Sequence, residues 1–295
     1  MDMIRWLVDS KIFHNAEETT GMVTAISGAH LQSDLILTKY VMFQDDVSTI
    51  TSVLMTPTPT VLYGTINFIK KVLDLRRFLN SETPVFAYGF SSDTEVLSYM
   101  TRLPQDFMLN QNYVMVPFVR FAEGNDFWYE TFNTEHVFIR PNSGSKVFTG
   151  QVIPKKDFDY EINSLRQLTG VVDQTLIMVA PAINIKTESR FIIANKTVVH
   201  AIRYIDEGKN HYDTQVDPTP PNAAQELARK VAAWPWQVDH AYVVDIATLD
   251  DGTAKIVEFN AFCSAGFYTH DFKHIVNLIN DTTIKVINDE LVLER

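Results

Sequence analysis

At 295 residues the chain can bury a substantial core, as one large domain or two. Its 46% hydrophobic and 21% charged residues fit an ordinary soluble globular protein, and a net charge of −11 argues against general nucleic-acid affinity while leaving room for a local basic cleft. The single cysteine, Cys263, excludes an intrachain disulfide framework and suits a reducing compartment. MDMIRWLVDS lacks the apolar core of a signal peptide, and no run reaches the roughly 18 apolar residues of a membrane helix. The expectation is a soluble, cytoplasmic protein without a membrane partner.

Residues 1 to about 100 read as a small α/β unit with partly parallel pairing. A β-like stretch, Val61 to Tyr63, passes through Gly64 into a helix-compatible segment ending near Leu79. PVFAYGF then reads as a strand ending at Gly89, with Ser92 or Asp93 capping a helix toward Met100. A domain boundary is expected near residues 100–115, dividing the chain into 1–110 and 111–295. The middle is β-rich: EHVFIRP and KVFTGQVI flank the small polar loop NSGS, and DQTLIMVAP leads to Pro181. ESRFIIANKTVVHAIRYI reads as a hairpin with Asn195-Lys196 at its tip, which pairs residues 190 and 201 and sets Arg203 diagonal to Arg190. Two guanidiniums on one face repel unless an anion bridges them, although a single arginine usually pairs with a surface acid. A polar loop, residues 206–221, is long enough to act as a lid. Asn222 is placed to cap the helix NAAQELARKVAAW, and the segment from Asp271 reads as helix, or helix then strand.

The stretch YVVDIATLDDGTAKIVEFNAF carries Asp245, Glu258 and Asn260 in otherwise apolar runs. With Asp251-Gly252 as a two-residue turn, Asp245 falls opposite Glu258, and Asn260 shares their face. Val257 and Phe259 then point into a core. Opposed acids repel unless something cationic sits between them, and Mg²⁺ typically takes one or two carboxylates. The plainer reading is a solvated hairpin face. Cations for phosphates are at hand in RPNSGSKVFTG, where Arg140 ends one strand, Lys146 opens the next and Gly144 lies between, although such loops are usually only turns.

In this order the pieces resemble the ATP-grasp superfamily, over roughly residues 110–270, most specifically in DIATLDDGTAKIVEFN followed by SAGFY. The resemblance implies an α+β fold in which two lobes clamp ATP, preceded by a small N-terminal α/β domain. It implies that Asp245, Glu258 and Asn260 bind one or two Mg²⁺ ions. It makes Arg140 and Lys146 phosphate contacts, with arginine at the first position as in a phage and bacterial clade. Val179, Ala180, Pro181 and Ile183 fall in the hinge whose backbone receives adenine, where Ala180-Pro181 replaces the more usual glutamate. Glu188 resembles the ribose-binding acid, and Arg190 and Arg203 resemble arginines that contact the γ-phosphate or an acyl-phosphate.

The implied reaction is ATP- and Mg²⁺-dependent ligation of a small-molecule or peptide carboxylate to an amine acceptor, through an acyl-phosphate and with release of ADP and phosphate. The alternatives are a small-molecule kinase on the same fold and a catalytically silent nucleotide-binding protein. Homodimers are common among such enzymes, although no stretch here specifies one. Cys263 reads as a small buried residue, Trp234 and Trp236 as packing residues, and the eight histidines show no paired spacing for zinc.

Overall fold

The computed structural model describes residues 3–39, 47–144, 146–210, 217–269 and 271–293. The chain opens with β1 (Ile4–Asp9), α1 (Ala16–Ser27), β2 (Ser33–Thr38), α2 (Ser48–Leu54), β3 (Thr60–Tyr63), α3 (Ile66–Phe78) and β4 (Val85–Phe86). β1 and β3 are apolar on both faces, as suits parallel strands covered by helices. They occupy the centre of a parallel sheet ordered β2-β1-β3-β4.

Next come α4 (Val96–Arg102), β5 (Val114–Pro117), α5 (Phe118–Ala122), α6 (Asn125–Phe132), β6 (His136–Pro141), β7 (Gln151–Pro154), α7 (Phe158–Leu168) and β8 (Leu176–Pro181). Their antiparallel sheet runs β5-β8-β6-β7, and its core gathers Phe118, Phe121, Trp128, Ile139 and Phe158. The last group is β9 (Thr187–Ala194), β10 (Thr197–Asp206), β11 (Lys209–Asn210), α8 (Asn222–Ala233), β12 (Ala241–Thr248), β13 (Ala254–Ala261) and α9 (Lys273–Leu293). Its sheet is antiparallel in the order β11-β10-β9-β12-β13.

This third sheet is the centre of the molecule. Phe191, Ile193, Val244 and Phe259 on one face pack with Leu227, Ala228 and Val231 of α8. Ile192, Ala194 and Val243 on the other join Trp6, Tyr63, Ile275 and Ile279, so the first strand and the last helix share one core. Trp6 Nε1 donates to Asn280 Oδ1 at 2.9 Å, tying β1 to α9. Among the described residues no helix is long and apolar enough to cross a membrane.

Several local expectations change. KVFTGQVI does not form one strand: only Gln151–Pro154 pairs with β6, and Lys146 lies in the preceding loop at φ +46°. Asn222 is the first residue of α8 rather than its cap. The segment from Asp271 contains one helix and no following strand through Leu293. Serine caps a short 3-10 turn at Ser92–Thr94, but α4 begins at Val96 and takes its cap from Asn142, far away in sequence. The β9–β10 tip is correct, with Asn195 and Lys196 both at positive φ. Two register shifts along β10 then set Arg190 opposite Ile202 and Arg203 opposite Ser189. Because side chains alternate across a strand, each extra residue swaps the face presented beyond it.

Candidate active site

Arg190, Asp245 and Glu258 are direct cross-strand neighbours on β9, β12 and β13. The turn between β12 and β13 is longer than Asp251-Gly252 alone: Leu249 and Thr253 close it, with Gly252 at φ +82°. A register shift between Asp245 and Ile246 compensates, so Asp245 still faces Glu258. Asn260 joins them, its Nδ2 donating to Asp245 Oδ2 at 2.9 Å and to Glu258 Oε1 at 3.0 Å. Phe259 turns into the core as expected. Val257 does not: it borders a cavity, and its carbonyl accepts from Arg140 Nη1 at 3.2 Å.

The acids are neutralised by side-chain cations. Arg190 grips Asp245 through two parallel hydrogen bonds of 2.8 Å, donates to Gly266 O at 2.8 Å, and lies 5.2 and 5.0 Å from the ring centres of Tyr204 and Tyr268. Arg140 Nη2 reaches Glu258 Oε2 at 2.9 Å, and Lys146 Nζ reaches Glu258 Oε1 at 2.7 Å. Burial alone would raise Glu258, but Arg140 and Lys146 hold it well below the usual carboxylate range. Burial likewise works against charge on Arg190, and Asp245 more than restores it. Three cations thus face two carboxylates, an excess that suits a polyanion.

This network closes one end of a cavity of about 360 Å³ between the second and third sheets. Arg140, Lys146, Glu188 and Glu258 give it a polar end; Phe138, Val152, Ile183 and Ile185 give it an apolar one. Glu188 accepts a hydrogen bond from Tyr204 Oη. Burial, reinforced by Asp245, pushes its carboxyl up to about 7. Val179 and Ala180 are fully buried, and Val179 is paired on both edges, with β5 and β6. The Val179 side chain packs in the sheet's core, while Ile183, just beyond Pro181, reaches the cavity.

Arg203 is not brought to this cluster. It donates to Asp217 O at 2.7 Å and pairs with Asp206 at 3.3 Å, because the β10 register shifts turn it to the sheet's other face. The tip of the expected lid, residues 211–216, lies outside the described residues, as does His270. Cys263 is buried at the end of β13, and burial raises its thiol above the ordinary range. Trp234 and Trp236 pack against Phe107 and Phe259. Sequence reasoning missed Tyr99, which accepts from Arg140 at 3.2 Å, and the pair Tyr204 and Tyr268. Aromatic residues in strands signal core, and only the placement of the arginines separates these three from the rest.

Among the described residues no three histidine, cysteine, aspartate or glutamate side chains gather as a metal cage. The donor set here, two carboxylates and an amide, nonetheless fits a hard divalent ion that fills its shell with water and phosphate oxygens.

A family model for an ATP-grasp domain, the second family of its clade, matches residues 119–278, more than half of the chain and the whole of this cluster. The chain belongs to this ATP-grasp family. No curated protein matches the chain. Among solved structures, the D-alanine–D-alanine ligase of Bacillus anthracis superposes with a TM-score of 0.62 at 13% identity, over 98% of this chain and 100% of that one. D-cycloserine synthetase DcsG does so at 0.61 and 11%, over 95% and 99%. The ATP-grasp ligase PsnB, complexed with a minimal precursor, gives 0.57 and 12%, over 97% and 99%. At such identities the likeness is one of fold, and the ATP-grasp fold is what these ligases share with this chain.

Proposed function

We propose that the protein is an ATP- and Mg²⁺-dependent ligase that joins a carboxylate to an amine. The observation that carries this reading is the alternating network of Arg190, Asp245, Asn260, Glu258, Arg140 and Lys146 at the polar end of an intersheet cavity. The apolar end accepts adenine between Phe138, Val152, Ile183 and Ile185. Backbone beyond Pro181, outside the β8 ladder, is available to the base edge, and Glu188 stands where a ribose hydroxyl would meet it. Asp245, Glu258 and the Asn260 amide oxygen would hold Mg²⁺, which supplies neutralisation of phosphate charge. Arg140 and Lys146 then exchange Glu258 for phosphate oxygens, a transfer that keeps each cation paired.

A carboxylate is a poor electrophile, so the first step moves the γ-phosphoryl group onto a carboxylate oxygen, giving an acyl-phosphate and ADP. The amine nitrogen attacks the acyl carbon, the C–O bond to phosphate breaks, and the amine releases a proton. Arg190, oriented by Asp245 and by two tyrosine rings, stabilises the oxyanion as it forms. No side-chain nucleophile is consumed.

Calorimetric titration of ATP with Mg²⁺ into the wild type and Glu258→Ala tests the clamp. Mg²⁺-dependent binding that the substitution weakens at least tenfold is expected; no binding by the folded wild type overturns the reading. ADP release that requires both a carboxylate and an amine separates ligation from phosphorylation, which would leave a stable phosphorylated product without any amine.

A further inference from the structure

A second cavity, of about 210 Å³, lies on the far side of the loop that carries Lys146. Its walls come from three places: Lys70 on α3, Ser91, Ser92 and Glu95 after β4, and Gly144 with Ala261 from the phosphate loop and β13. Nothing in the proposed reaction uses these side chains. Their chemistry is distinctive. Lys70 is exposed at the rim and makes no ion pair among the described residues. One Glu95 oxygen accepts from Asn142 Nδ2 at 2.8 Å, and the other has no hydrogen-bond partner among the described residues. One unpaired cation, one half-satisfied carboxylate and two serine hydroxyls face a space too small for a nucleotide.

The cavity is also latched to the phosphate loop. Asn142 accepts from Leu97 N through its side chain and from Val96 N through its carbonyl, each at 3.0 Å. Gly144 approaches Thr94 so closely that a Cβ there would stand 2.5 Å from Thr94 Oγ1. Whatever fills the cavity therefore bears on the loop that positions Lys146 against Glu258.

We propose that this cavity binds a small zwitterion, with its carboxylate on Lys70 and the serine hydroxyls and its ammonium on Glu95, and that its occupancy is coupled to the nucleotide site through the loop. The coupling half rests on the ligase reading; the binding half does not. A lone anion would satisfy Lys70 and leave Glu95 facing like charge, and a lone cation the reverse, so both charges on one small molecule are required.

Ser92→Cys provides a reporter, because the native Cys263 is buried and silent toward a thiol reagent. Alkylation by iodoacetamide is followed with glycine, the smallest zwitterion, and with its two halves, acetate and methylammonium. Glycine is expected to slow alkylation at concentrations where neither half does. Lys70→Gln and Glu95→Gln, the latter retaining an acceptor for Asn142, are each expected to weaken glycine protection about tenfold. Protection by acetate or methylammonium equal to that by glycine, protection unchanged in both variants, or no protection at all overturns the assignment. Mg²⁺-ATP should shift the half-protecting glycine concentration, and glycine should shift ATP affinity by the same factor; independence of the two overturns the coupling. Glycine protection in a chain that binds no ATP would sink the ligase reading and leave the cavity assigned.

Discussion

Glu258 shows how much one side chain carries. It is the counter-charge of Arg140, which is only 4% exposed, so Glu258→Ala strands a buried guanidinium. The expected loss is about 3–5 kcal/mol, read from urea unfolding, on top of the lost nucleotide affinity. Glu188 supplies a pH signature. Its folded pKa, near 7, lies above the ordinary 4.5, so the folded chain binds the extra proton in between. The stability it contributes is full below about pH 4.5 and is lost as pH rises toward 7. Glu188→Gln should flatten the urea midpoint across that window; an unchanged slope would place the titration elsewhere. At this scale the sequence was informative where alternation alone decides facing, as for Asp245, Glu258 and Asn260. It was silent on Arg140 with Tyr99 and on Arg190 with Tyr268, because partners from separate strands and loops leave no spacing to read.

Elements were legible in kind and less so in register. Asp-Gly and Asn-Lys marked both hairpin tips, but the register shifts in β10 and β12 have no residue signature here. In β12 the shift cancels a longer turn and the expected pairing survives; in β10 it accumulates and Arg203 leaves the site. The cap of α4 escaped for a similar reason, since Asn142 reaches it from another sheet. The contact of Gly144 with Thr94 makes an element-scale prediction. Gly144→Ala forces the phosphate loop away from the 92–94 turn and should lower ATP affinity roughly tenfold, about 1.4 kcal/mol. Adding Thr94→Ala removes the hydroxyl nearest the new methyl and should restore most of that loss. Additive losses in the double-mutant cycle would show that the two residues do not meet.

The whole molecule is held by joins between remote segments. Asn280→Ala leaves the indole N–H of the buried Trp6 without its acceptor and removes a donor from Ser33 Oγ. A cost of about 1–3 kcal/mol in thermal or urea unfolding is expected, with ATP affinity unchanged when measured on the folded protein. A change in affinity without one in stability would mean that α9 acts on the site and not on the core. The α/β character of the first hundred residues was plain from the sequence, yet its closure by a helix beginning at Lys273 was not, because an apolar face does not name its partner. That join has a consequence for biosynthesis. A ribosome releases the first strand long before the residues that will cover it, and the hydrogen bond from Trp6 to Asn280 spans 274 positions. At about 5–20 residues per second, the nascent parallel sheet waits many seconds with its apolar face bare, a long exposure in a crowded cell. Translation speed and chaperone supply should therefore govern the yield of this protein more strongly than its final stability does.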